Sequence, residues 1–381
     1  MPRTLKLIFA SLSIYSFSTS LISIFVPIFL IQHGFSLAKI VFVFLVYALS
    51  KLVLNYPAVR FVVRRGTRSS LALNYVIGVA ALILLNVGLI KLSYPLVLVS
   101  FAASALSDAL QWNAQHLHLS SLLDGIRKSS SLALFSNTAT ALGILGPLLG
   151  GLIAGYLGST MLLVVASVVG VAAITPLYWG GFEHHEITTS TVPYNLKGAP
   201  IKDLIANAAW NTETAIAIYI WPMYVLLFIG KLQNIGVLVA FGSLLTFIVV
   251  YVAGKRSDKS SAKGVINEGS VLSSIFHIMR AFAHTMGTVV VGDLGYKVSQ
   301  KYMEIGWVST YYGHAKGSGL AYINSMEISG DLARLAMWSI VWVVALTAPS
   351  NEFYRISFLL ASVVTLFCMV ISKERPLRVS S

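Results

Sequence analysis

Blocks of twenty or more apolar residues recur along this chain. That recurrence limits the fold more than any single motif does. In water such blocks would have to be buried all round. In a bilayer each is the length of one helical crossing, about 20 residues for a hydrocarbon core of ~30 Å. Composition agrees: the chain is 56% hydrophobic and 11% charged, with mean hydropathy +0.79. One crossing and its loop take roughly 30 residues, so 381 residues hold about twelve. The spans fall at 5–31, 37–62, 69–90, 94–120, 129–156, 159–180, 203–229, 233–253, 265–283, 285–311, 319–347 and 352–372. This is an all-α membrane protein with twelve transmembrane helices.

The net charge of +13 would suggest nucleic acid as a partner of a soluble protein. Here it follows the positive-inside rule, and no nucleic acid is expected. With the N-terminus inside, 18 of the 27 Lys and Arg fall on cytoplasmic segments. Five fall outside: Lys39, Lys91, Lys231, Arg280 and Arg355. Four, Lys51, Lys297, Lys301 and Arg334, lie within spans. Both termini are therefore expected in the cytoplasm, and the protein in the cell (inner) membrane. The first apolar stretch is too long for a signal-peptide core and reads as a retained helix. A single cysteine, Cys368, excludes an intramolecular disulfide.

The richest stretch is Ser107–Gly158. Its first span has a polar stripe with Asp108, Gln111, Trp112, Gln115, His116 and His118. Its second ends in Gly146-Pro147-Leu148-Leu149-Gly150-Gly151, a small-residue face that lets another backbone come close. Span 2 carries Tyr47, Lys51 and Asn55 on one face. The loop after it holds Arg64, Gly66 and Arg68. The loop after span 8 holds Gly254 and Asp258.

This pattern resembles the major facilitator superfamily. Residues 146–151 match the Gly-Pro-x-x-Gly-Gly motif of its drug/proton antiporter branches, with Leu142 where an upstream glycine is usual. The two loops resemble its Gly-x-x-x-Asp-Arg-x-Gly-Arg-Arg motif: Val59 and Val63 replace the first glycine and the acid in one copy. The resemblance implies two six-helix pseudo-repeat bundles, 1–180 and 203–381, joined by a cytoplasmic linker at 181–202. It implies alternating access around a site lined by spans 1, 4, 7 and 10. It also assigns Arg64, Gly66, Arg68, Gly146, Pro147, Gly150, Gly151, Gly254 and Asp258 to gating.

Internal similarity supports the repeat. Asp108 precedes Asn137 by 29 residues and Asp293 precedes Asn324 by 31. Span 9 is the weakest by hydropathy because it contains Glu268, His277 and Arg280. The linker holds Glu183-His184-His185-Glu186, which reads as a solvated loop rather than a metal site, since adjacent residues rarely converge on one ion.

Ionisable groups within spans are functional candidates, because each costs several kcal/mol unless paired or hydrated. Span 10 places Asp293, Lys297, Lys301 and Glu304 on one face, and span 11 places Asn324, Glu327, Asp331 and Arg334 on one face. If the turn between them is 313–319, opposite charges fall in register: Asp293 with Arg334, Lys297 with Asp331, Lys301 with Glu327, and Glu304 with Asn324. The ladder is read either as an internal staple or as a substrate or proton site. Asp108 and Glu213 have no base in this register, which makes them candidates for proton coupling together with Asp293 and Glu327. Trp112, Trp210 and Asn211 are read as cavity residues, whereas Trp307, Tyr311 and Tyr312 suit a membrane interface.

The reading is a secondary transporter and not an enzyme, coupled to protons, without cofactor or metal, monomeric among membrane lipids. Export of a small amphipathic compound is the first choice. Uptake of a polar solute is the second. A lipid scramblase or polytopic membrane enzyme is the rival class, but the loops are short and carry no HExxH or GxSxG.

Overall fold

A computed structural model describes residues 3–122, 128–179, 194–259 and 261–372. The helices are α1 (Arg3–Ile22), α2 (Phe25–Gln32), α3 (Leu37–Ile90), α4 (Tyr94–Leu122), α5 (Lys128–Ala172) and α6 (Thr175–Tyr178), then α7 (Ile201–Ile229), α8 (Leu232–Lys259), α9 (Ala262–Ala281), α10 (Met286–Thr347) and α11 (Ser350–Leu366). Three of these are two helices joined at a left-handed glycine: Gly66 in α3 (φ 78°), Gly158 in α5 (φ 88°) and Gly319 in α10 (φ 58°). Only glycine enters that region without cost. With those breaks, every expected span has its helix. Among the described residues, seven helical segments are long and apolar enough to cross a membrane.

The chain divides into two compact units. The first comprises 1–192, 216–244 and 335–354, and the second 193–215, 245–334 and 355–381.

Within the first unit, hydroxyls of α1 tie it to α5. Ser11 donates to the Ala173 carbonyl at 2.7 Å, Ser18 to Ala166 at 2.7 Å and Ser20 to Leu142 at 3.0 Å. The contact is close because α5 presents glycine there: a Cβ at Gly146 would strike Ser20, and one at Gly150 would strike Leu21. Further along, a Cβ at Gly151 would stand 2.9 Å from the Gly236 Cα of α8, and one at Gly236 would strike the Pro147 carbonyl. The Gly-Pro-x-x-Gly-Gly segment thus packs α1 on one side and α8 on the other. Phe44 anchors an aromatic cluster with Phe101, Tyr219 and Trp338 at centroid distances of 5.8, 4.7 and 4.9 Å.

The second unit is built around Leu204, Ala206, Ile266, Met303, Trp307, Tyr322, Met326 and Cys368. Its helix α9 is amphipathic in reverse. Ser270, Ser273, Ser274, His277 and Arg280 are buried, whereas Val271, Leu272, Ile275 and Ile278 are exposed. Polar residues facing protein and apolar ones facing lipid are what a membrane helix requires. This explains why hydropathy alone undervalues the segment.

Candidate functional site

The second unit holds a buried charge cluster formed by α7, α9 and α10. Glu213 of α7 is 0% exposed. The Tyr296 hydroxyl donates to its Oε1 at 2.5 Å, and His277 Nε2 lies 3.2 Å from the same oxygen. Thr214 donates to Oε2 at 3.1 Å. The acid expected to lack a partner therefore has three. The signal missed was the reversed face of α9, which brings His277 and Arg280 inward.

Arg280 corrects the charge count. Placed on the outer side by sequence, it is 1% exposed and lies 3.7 Å from Asp293. Its guanidinium also lies 3.8 Å from the Tyr296 ring centroid. Asp293 takes a second cation, Lys297, at 2.6 Å. One buried acid between two cations avoids the uncompensated charge that makes low-dielectric burial so costly.

Three rungs of the expected ladder between the two arms of α10 are not built: Lys297 with Asp331, Lys301 with Glu327, and Glu304 with Asn324. Lys297 pairs with Asp293 and Lys301 with Glu304 at 2.9 Å, so neither reaches Asp331 or Glu327, and Glu304 does not reach Asn324. Arg334 pairs with Asp331 at 2.9 Å, three residues back on its own arm. The cause is the turn. The helix runs on through residue 318 and breaks at Gly319 instead of turning across 313–319. Residues facing across the arms then shift by roughly ten positions, about 15 Å of helix. The groups paired along the helix are the more open ones: Lys297 is 20% exposed, Lys301 24%, Glu304 33% and Arg334 17%. Glu327 is half-buried, while Asn324 and Asp331 are buried.

The interfacial expectation is revised for two aromatics. Trp307 and Tyr311, read as interfacial, are core residues. Trp210 stacks flat on Trp307 at 5.1 Å and 7°, so it supports that core. Asn211 donates to the Asn207 carbonyl one turn back at 2.8 Å. Trp112 is 46% exposed and stacks on His116 at 5.9 Å.

In the first unit, α1, α3 and α4 share a polar layer. Tyr47 donates to Asp108, and Asn113 donates to Asn55 Oδ1 at 2.7 Å. Asn74 donates to Gln111 at 3.3 Å, and Ser107 joins Asn74 to Tyr15 at 2.5 and 3.2 Å. Asp108 thus has a hydroxyl partner. Lys51, on the face of Tyr47 and Asn55, is 3% exposed, and Gln115 is half-buried.

Of the residues expected to gate, Gly66 makes the break in α3, Arg64 is exposed, and both terminal nitrogens of Arg68 are buried without a hydrogen-bond partner among the described residues. Asn137, Gly254 and Asp258 lie outside the residues whose surroundings are described, as do His118 and Glu183–Glu186.

Sequence missed a further cluster at the start of α7. Asp203 is fully buried, with His314 Nδ1 at 2.8 Å, the Tyr322 hydroxyl at 3.1 Å and the Ser372 backbone N–H at 2.8 Å. It ties α7, both arms of α10 and the C-terminal segment together.

Comparison with known proteins gives the chain its relatives. Residues 8–326 match the Major Facilitator Superfamily. Among curated protein sequences none matches. A solved structure with the same fold is the crystal structure of a POT family transporter in complex with 5-aminolevulinic acid. It superposes with TM-score 0.72 over 96% of this chain and 95% of that one, at 12% identity.

Proposed function

Because the chain belongs to the Major Facilitator Superfamily, and so is a secondary transporter rather than an enzyme, we propose that it carries a small polar organic solute coupled to protons, with Glu213 as the proton carrier. The observation that carries this reading is the fully buried Glu213 held between His277 and Tyr296. A buried carboxyl with a histidine and a hydroxyl at hand has neighbours able to pass a proton to it and accept one from it. The half-open pairs Lys297–Asp293, Lys301–Glu304 and Arg334–Asp331 supply both signs of charge and suit a solute that is itself polar or zwitterionic.

In this reading the halves 1–180 and 203–381 alternate about a linker at 181–202. Both termini are cytoplasmic, and a monomer works in the cell (inner) membrane. Export of an amphipathic compound drew on the Gly-Pro-x-x-Gly-Gly segment. Here that segment packs α5 against α1 and α8, a role either direction of transport needs. The charged face of α10 favours uptake of a polar solute.

The test uses purified protein in proteoliposomes with a pH-sensitive dye inside. 5-Aminolevulinic acid and a panel of small amino and keto acids serve as probes. A solute-dependent proton flux is expected, lost in Glu213→Gln while solute binding remains. A flux that survives in Glu213→Gln moves the proton site elsewhere, with Asp108→Asn the next variant to examine.

A further inference from the structure

We propose that Tyr296 is a positioning residue that keeps Arg280 off Glu213, leaving Glu213 able to take up and release its proton. The inference rests on Glu213 being the proton carrier.

A guanidinium beside a carboxylate in low dielectric normally closes into a bidentate pair, with two parallel N–H···O bonds. Such a pair holds the acid as an anion and would turn a proton carrier into a staple. Arg280 and Glu213 are both buried in one cluster, at 1% and 0% exposure, yet they do not make that pair. Tyr296 is what engages both. Its ring carries the Arg280 guanidinium 3.8 Å from the centroid, a cation–π contact favoured in a desolvated site. Its hydroxyl, on the far end of the same ring, donates to Glu213 Oε1 at 2.5 Å. The cation is taken by the face of the ring and the carboxylate by its edge.

The other groups facing Glu213 fit this division. From α9 come His277, whose Nε2 is 3.2 Å from Oε1, and Arg280 itself. From α10 comes Tyr296; beyond Arg280, Asp293 gives that guanidinium a carboxylate at 3.7 Å and pairs with Lys297. Near the C-terminal end comes the buried thiol of Cys368. Thr214, half-buried, donates to the other oxygen, Oε2, at 3.1 Å. Tyr296 and Asp293 thus both engage Arg280, and the side chains that reach the Glu213 oxygens are Tyr296, His277 and Thr214. The His277 ring is 4.8 Å from that of Tyr296, and its Nδ1 has no hydrogen-bond partner among the described residues.

Infrared difference spectroscopy of the full-length protein, titrated with pH, tests this directly. The C=O stretch of protonated Glu213 is assigned by its loss in Glu213→Gln. Tyr296→Phe is expected to keep the band, because the ring still carries Arg280. Tyr296→Leu is expected to lose it at every pH, because Arg280 then closes on Glu213. Tyr296→Leu with Arg280→Gln is expected to restore it. A structural role alone would not produce that rescue. If Tyr296→Leu does not fold, Asp293→Asn removes the carboxylate charge that faces Arg280. It should weaken the band, and adding Arg280→Gln should restore it. A band unchanged in Tyr296→Leu or in Asp293→Asn, or one that fails to return when Arg280→Gln is added, overturns the role of Tyr296 alone. A wild-type protein with no Glu213 band overturns Glu213 as carrier and the role of Tyr296 with it.

Discussion

The polar layer of α1, α3 and α4 and the charge cluster of α7, α9 and α10 solve the same problem in different ways. In the first, amides and hydroxyls satisfy one another, Asn55 with Asn113 and Asn74 with Gln111 and Ser107, beside the acid Asp108, which accepts from Tyr47, and the buried Lys51. Neutral networks of this kind cost little to bury once every member is bonded. In the second, Arg280, Asp293 and Lys297 keep formal charges in place by mutual compensation. That arrangement is expensive to disturb, since removing one member strands another. Hydrogen-bonded neutral groups orient. Compensated charges are able to respond to a proton or to a charged solute. The difference is why coupling is proposed for the second cluster.

Changes that break the charge cluster should therefore be the most severe. Asp293→Leu removes the carboxylate that faces both the buried Arg280 and Lys297. A loss of about 3–5 kcal/mol is expected for a broken buried pair, read as a large fall in the unfolding midpoint of the purified protein. A fall no larger than that of a neutral-layer variant would remove the contrast between the two clusters. Next comes the α5 packing segment. Gly151→Val forces a side chain against the Gly236 backbone. Overpacking of this kind costs about 1–3 kcal/mol, and the same assay would show it.

Much of this was legible before any coordinates. Helix boundaries follow from apolar length, and the breaks at Gly66, Gly158 and Gly319 sit where loops were read. The charged face of α10 was also legible, because i, i+4 spacing is a property of the helix alone. What it paired with was not. Pairing across the arms depends on where the turn breaks, and Gly313, Gly317 and Gly319 are three candidates within seven residues. The structure uses the last. Arg280 was misplaced for a related reason: near a span end, sequence cannot separate a residue facing water from one folded back on Asp293. Trp307 and Tyr311 show the same limit, since aromatics suit both interfaces and cores.

In the neutral layer, Asn113→Ala removes the donor to Asn55 Oδ1, and Asn55 is itself 1% exposed. Losing that buried hydrogen bond costs about 0.5–1.5 kcal/mol, so the unfolding midpoint should fall, but by less than in Asp293→Leu. Asn55→Ala combined with Asn113→Ala should cost less than the sum of the two single changes, because the pair is one interaction. Additive losses would mean the two amides are held by other groups.

The smallest effect should come from Trp112→Phe. Trp112 lies on the same helix as Asn113 but is 46% exposed, and its ring contact is with His116 at 5.9 Å. Phenylalanine keeps an aromatic face there, and substitutions at exposed positions usually stay within about 0.5 kcal/mol. Stability should thus be almost unchanged, which makes this variant a clean probe of function beside Asn113. Two neighbours on one helix then separate two roles. If Trp112 faces the transported solute, the transport KM should rise with stability intact. If it faces lipid, both should stay at the wild-type value, and the solute-lining residues of the first unit reduce to the buried face that carries Asn113 and Asp108.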